Sequence, residues 1–199
     1  LILGDSLAIP HFKTLYVAPT QKQASIFSHA RLGKTLSSSP AMRTHFLTGN
    51  QQMSVWRRSF DNGAEINISY ASDDPDRIRG LSADRVVYDE IQDIVYDAVV
   101  PVVNETMGNS EYGWTSYFGT PKSMENTIQQ LWEQSSQDEW IMPCPGCKKW
   151  NFVNTADSIG KKGIICVVCG GYLNPREGRW YSMNPAGKIK GFHISQLIL

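Results

Sequence analysis

All four cysteines of the chain fall in two pairs, Cys144-Pro145-Gly146-Cys147 and Cys166-Val167-Val168-Cys169, with eighteen residues between them. No other feature restricts the fold so strongly. A C-x2-C knuckle holds two thiolates about one tetrahedral edge apart, and two knuckles at this separation complete a closed four-sulfur shell for Zn²⁺. Disulfides fit poorly, because no secretory signal precedes the first strand. A redox site needs one such pair, not two. With four protein ligands there is no open position for water, so the expected Zn²⁺ is structural. Lys148, Lys149, Lys161 and Lys162 give this region a basic character, which suits either contact with DNA or a protein partner or plain solubility.

The knuckles occupy only the last third of 199 residues. At roughly 150 residues per domain, the rest is enough for one medium domain. The 41% hydrophobic and 19% charged fractions are those of a globular protein. No apolar run approaches the ~20 residues that cross a bilayer. A net charge of zero excludes a uniformly basic nucleic-acid binder, but the charges are segregated. Residues 1–60 carry seven Lys/Arg and only Asp5, net +6. Residues 61–135 carry four Lys/Arg and fourteen Asp/Glu, net −10. Residues 136–199 carry eight and four, net +4. An acidic middle suits either a hydrated cation or a solvated face.

The first part reads as strands alternating with helices, the pattern of a parallel α/β sheet. Leu15-Tyr16-Val17-Ala18 is a buried strand ended by Pro19. Thr20-x-x-Gln23 is a capping box for a helix to about Leu36, with Ala24, Phe27, Ala30 and Arg31 on related turns. Ser37-Ser38-Ser39-Pro40 breaks it. Residues 53–60 and 64–70 form a hairpin about Asp61-Asn62-Gly63, with Ala64, Ile66, Ile68 and Tyr70 on the buried face. Arg85-Val86-Val87-Tyr88 is a second buried strand, and Trp114 to Phe118 a third, ended by Gly119-Thr120-Pro121. Ser123 is expected to cap a helix carrying Ile128, Leu131 and Trp132, with Glu125 in its first turn.

The second strand runs directly into Asp89-Glu90. Ligands of an open parallel sheet sit beyond the carboxyl ends of its strands. A strand-end Asp is placed to hold Mg²⁺, which keeps several waters and takes one or two carboxylates. The adjacent Glu can polarise water attacking a γ-phosphate. Thr120, also just past a strand, belongs at the same edge. The other reading of each is a solvated turn. His11, His29, His45 and His193 share no ligand spacing, and His193 reads as structural.

The order of these pieces resembles the large subunit of tailed-phage terminases, in the branch that includes phage lambda. It rests on Leu15 to Thr20 with Gln23-Ala24, on Arg79-Gly80-Leu81-Ser82-Ala83-Asp84-Arg85-Val86-Val87-Tyr88-Asp89-Glu90, and on Phe118-Gly119-Thr120-Pro121-Lys122-Ser123. The cysteine knuckles, Gly178-Arg179-Trp180 and Gly191-Phe192-His193-Ile194-Ser195 continue it. The resemblance implies a P-loop-type ATPase core, here partial, over residues 1–137. A small zinc-ribbon-like unit follows over 138–180, and the start of a linker or nuclease domain over 181–199. It implies an ATP-driven motor that packages double-stranded DNA into a procapsid and, in the full-length protein, an endonuclease. ATP and Mg²⁺ would be cofactors. Asp89 would be the Walker B metal carboxylate and Glu90 the catalytic base. Thr120 would couple hydrolysis to movement, and Arg79 would help sense nucleotide unless it pairs with a nearby Asp. The implied partners are DNA, the terminase small subunit, the portal and further copies of the chain, in the host cytoplasm and away from membranes. The competing readings are a non-enzymatic zinc-ribbon module that binds DNA or protein, and a helicase-type translocase fragment.

The sequence departs from that pattern at one point. It contains no G-x-x-x-x-G-K-[ST] loop, and Gly33-Lys34-Thr35 lacks the upstream glycine. The chain opens on Leu1 and closes within an apolar run, so it reads as an internal piece, with the phosphate loop before it and the nuclease carboxylates after it. Negligible ATP hydrolysis is expected of it alone.

Overall fold

The computed structural model describes residues 2–49, 53–123, 126–153 and 156–198. The chain forms two compact units, Leu1–Ile128 and Gln129–Leu199.

The first unit holds α1 (Ile2–Ala8), β1 (Lys13–Ala18), α2 (Gln21–Ile26), α3 (Lys34–Ser38), α4 (Pro40–His45), β2 (Arg57–Ser59), β3 (Glu65–Tyr70), β4 (Arg85–Tyr88), α5 (Tyr96–Asn104) and β5 (Trp114–Tyr117). Its sheet runs β2-β3-β1-β4-β5. β3, β1, β4 and β5 are parallel, and only the edge strand β2 is antiparallel, as the hairpin partner of β3. The expected hairpin turn is present. Gly63 has φ +78°, and a Cβ there would fall 2.3 Å from the His11 ring, so both backbone and space require glycine. Ala64, Ile66 and Ile68 are buried as the alternation predicts, whereas Tyr70, expected on the same face, is only half-buried. On the face left to solvent by that alternation, Glu65 and Asn67 are half-buried and Ser69 is buried, as in a parallel sheet covered on both faces.

The helix after β1 departs from its expected face. Thr20 does cap it, accepting from the Gln23 N–H at 3.3 Å, and its hydroxyl lies 2.6 Å from Gln23 Oε1. Between α2 and α3, however, Phe27–Gly33 winds as a π-helix. The wider i→i+5 turns move the buried stripe to Ala24, Ser28, Leu32 and Leu36, spaced by four. Ala30 and Arg31 are left exposed. Ser39 ends the run at ψ 114°, and its hydroxyl caps α4 with Pro40 in the first turn.

α6 (Thr127–Glu133) begins later than expected. Ser123 lies in a bend, and Glu125 is outside the described residues. The second unit follows with β6 (Asp138–Pro143), β7 (Trp150–Phe152), β8 (Ile159–Gly160), β9 (Gly163–Ile164), β10 (Arg179–Ser182) and β11 (Phe192–His193). β6 pairs antiparallel with β10 and β7 and parallel with β11, and β8 pairs with β9. Its core is small: Met142, Cys144, Val153, Ile164, Cys166 and Leu173. No helix among the described residues is long and apolar enough to cross a membrane.

Candidate functional site

β4 is buried at all four positions. Its neighbours β1 and β5 run parallel to it, with Val17 opposite Tyr88 and Tyr88 opposite Tyr117. All three strands therefore end at one edge, and the residues just past them are brought together there. The Asp89 N–H donates to the Val17 carbonyl at 2.9 Å, and the Phe118 N–H donates to the Tyr88 carbonyl at 2.8 Å. The Ile91 N–H then donates to the Phe118 carbonyl at 3.0 Å. Asp89 and Glu90 are half-buried at this edge.

Glu90 adopts φ 50°, ψ 47°, a left-handed conformation uncommon for a residue other than glycine. It makes a sharp turn immediately after the strand and is followed by a 3₁₀ turn, Ile91–Asp93. The side-chain amide of Gln92 donates to the Glu90 carboxylate. Thr120 is exposed, three residues beyond β5. Its turn is tied to the same segment by Lys122, whose Nζ lies 2.6 Å from Asp93 Oδ1. Arg79 stands apart: its Nε donates to Asp76 at 2.9 Å, with both side chains exposed. Arg77 lies over the Tyr70 ring at 4.3 Å.

Two residues of this edge carry no signal in the sequence. The Tyr16 hydroxyl, from the neighbouring strand, donates to the Asp89 carboxylate. Burial, followed by that carboxylate, pushes the Tyr16 phenol well above its ordinary range, so it stays a donor. Its ring stacks on Phe27 of the π-helix at 3.8 Å. Tyr16, Phe27, Arg31, Asp89 and Phe118 line a cavity of about 370 Å³. The Tyr16–Asp89 meeting follows from the β1–β4 register, which no local pattern encodes. Gln92 is equally invisible, because its role depends on the Glu90 turn.

The second candidate site lies wholly in the other unit. The Cys144 and Cys169 sulfurs are 3.5 Å apart, Cys147 and Cys166 are 3.6 Å apart, and all four lie within 4.8 Å of one another. A tetrahedral zinc–thiolate shell with bonds of about 2.3 Å has edges of about 3.8 Å, so the four sulfurs fit a single ion. The two knuckles are built alike. Lys148 N–H donates to the Cys144 carbonyl and Gly170 N–H to the Cys166 carbonyl, at 2.9 and 2.8 Å. Both donors have positive φ, 61° and 71°. Gly170 meets that need at no steric cost, whereas Lys148 meets it as an L residue and gave no warning in the sequence. Burial opposes the Cys166 thiolate, but the backbone groups of Cys169 and Val168 and neighbouring thiols prevail and bring this thiol to about 6. His193, read as structural, bonds Glu139 at 2.8 Å and meets the Trp132 ring edge-on. Burial pushes the Glu139 carboxyl up, and His193 opposes that shift.

A family model described as "Phage terminase large subunit gpA, ATPase domain" matches residues 3–176. Among solved structures, the large terminase ATPase domain of Thermus phage P74-26 is similar, with a TM-score of 0.52 and 20% identity over 74% of this chain and 59% of that one. An arginine-to-alanine mutant of that domain gives 0.52 and 20% over 67% and 57%. The large terminase of bacteriophage HK97 gives 0.50 and 15% over 66% and 28%. At these identities the likeness is one of fold. The chain spans less than two thirds of the length of each of these matched chains. No curated protein gives a significant match.

Proposed function

The chain belongs to the phage terminase large subunit family, and from that premise we propose that it forms part of an ATP-driven motor packaging double-stranded DNA. The observation that carries this reading is the edge where β4 closes on Asp89-Glu90 and the end of β5 is tied beside it. Carboxylates there are hard oxygen donors of the kind Mg²⁺ takes. A divalent cation bound there would neutralise charge on the β- and γ-phosphates.

In this reading Asp89 holds the cation, and the Tyr16 hydroxyl fixes one of its oxygens. Glu90 accepts a proton from the water that attacks the γ-phosphate, and Gln92 orients its carboxylate. Thr120 sits on the turn that couples hydrolysis to movement. Arg79 reaches nucleotide after release from Asp76. Cys144, Cys147, Cys166 and Cys169 hold a structural Zn²⁺, supported by the fit of the four sulfurs to one shell. The division into 1–137, 138–180 and 181–199 belongs to the same proposal. So do the small subunit, the portal, a homo-oligomeric ring, an endonuclease in the full-length protein and action in the host cytoplasm.

The test is binding of a fluorescent ATP analogue to the full-length terminase, with and without Mg²⁺. Asp89→Ala is expected to remove the Mg²⁺ dependence, and Mg²⁺-dependent binding that survives this change contradicts the assignment. The 199-residue chain, whose sequence holds no phosphate-cradling glycine loop, is expected to hydrolyse ATP negligibly. Robust turnover by it, abolished by Glu90→Gln, would show that its own residues supply the phosphate site.

A further inference from the structure

Arg58 sits in β2, at the far edge of the sheet from β5, with 7% of its surface exposed. A guanidinium this deep normally meets a carboxylate, because a buried charge left uncompensated is costly. Arg58 meets none. Its Nη2 donates to Ser28 Oγ at 2.9 Å and to the Ser28 carbonyl at 3.4 Å, and its Nη1 to the Arg57 carbonyl at 3.4 Å. The Ser28 hydroxyl itself donates to the Val55 carbonyl at 2.6 Å. All of these acceptors are neutral. Among the described residues no carboxylate forms an ion pair with Arg58. Burial lowers its pKa, and no acid opposes that shift.

Arg58 lines a cavity of about 260 Å³ together with Gly33, Leu36, Ser37, Arg43 and Leu47. A water takes about 30 Å³ of liquid, so the space holds a tetrahedral oxyanion and several waters. Arg43 is exposed, and its Nη1 donates to the Ser37 carbonyl, which anchors the side chain beside the cavity. Two arginines thus border one space whose other lining residues, Met53 among them, include no acid. An anion seated there would offset the cost of burying the Arg58 charge. Arginine forks match phosphate oxygens two at a time. The surrounding residues 1–60 carry net +6, which favours approach of such a ligand.

We propose that the cavity between α3, α4 and β2 is a phosphate-binding site, with Arg58 and Arg43 as its two ligands. It lies on a different part of the sheet from Asp89 and does not depend on the ATPase reading. The phosphate comes either from a free or nucleotide phosphate or from the backbone of DNA.

The test titrates the 199-residue protein with inorganic phosphate, without Mg²⁺ and at constant ionic strength against chloride, and in a second arm with a short DNA duplex. The backbone amides of Ser28 and Ser37 are followed by NMR. Saturable shifts are expected, with affinity falling about tenfold in Arg43→Gln, the loss of one charged hydrogen-bond partner. Arg43 is exposed, so this variant keeps the fold even if Arg58→Gln does not. Saturation by inorganic phosphate assigns the free anion. Saturation by duplex alone, with the same Arg43 dependence, assigns the phosphodiester backbone. Unshifted amides in both arms, or equal affinities in Arg43→Gln and the parent, overturn the proposal and leave Arg58 as a cap on the Ser28 carbonyl.

Discussion

In the first unit Leu15, Val17, Ile66 and Val86 are exposed by 1% or less, and the central strands β1 and β4 are covered on both faces. In the second unit the aromatics lie largely outside: Trp150 is 48% exposed and Phe192 59%. Its buried cluster is built around two of the four cysteines. The difference follows from size. A chain segment as short as residues 129–199 buries a small core, and small units commonly gain from a metal or disulfide staple. The first unit is held by its core, and its chemistry is placed at the edge of that core. In the second, four thiols stand together where one ion would staple the unit, and the surface is left to the aromatics.

The largest effect expected from this contrast is that of metal removal. Zinc-held units owe about 10–16 kcal/mol of apparent folding energy to the ion. Cys166→Ser, or a strong chelator, is expected to collapse the NMR dispersion of residues 129–199 while Val17 and Val86 amides stay protected from exchange. Purified protein with less than half an equivalent of zinc and freely titrating thiols breaks the comparison at once. Next in size is Ile66→Ala, which opens a cavity in the first core and is expected to cost about 2–5 kcal/mol in a urea transition. Zinc content should not change with it. An equal loss of bound zinc would mean that the two units share one stability. The smallest is Thr20→Ala, which removes the cap from Gln23 N–H and is expected to cost about 1 kcal/mol. A cost near zero would show that packing of Ala24 and Leu32, and not the cap, starts this helix.

Local signals made much of this legible. β1, β4 and β5 announce themselves as short apolar runs closed by Pro19, Asp89-Glu90 and Gly119-Thr120-Pro121. The Asp61-Asn62-Gly63 turn and the Ser39-Pro40 break are chemistry of one or two residues, and both stand where the sequence puts them. The cysteine spacing predicted the sulfur cluster because ligand geometry leaves few alternatives. What stayed hidden depends on long-range pairing. Tyr16 and Asp89 are 73 residues apart and meet only through strand order. The π-helix that turns Ala30 and Arg31 outward is a tertiary accommodation with no propensity signal. The left-handed turns at Glu90 and Lys148 are imposed by what they connect, against the preference of the residue itself. The β10–β6–β11 order joins segments that share no pattern.

In the proposed function, the edge formed by β4 and β5 hydrolyses ATP in the full-length terminase, with Glu90 as its base. Single-turnover hydrolysis by full-length terminase carrying Glu90→Gln addresses it directly, because glutamine preserves size and cannot accept the proton. Nucleotide binding is expected within a factor of about two of the parent, with a hydrolysis rate lowered by about 10²–10⁴. A Glu90→Gln protein that splits ATP at the parental rate would contradict it.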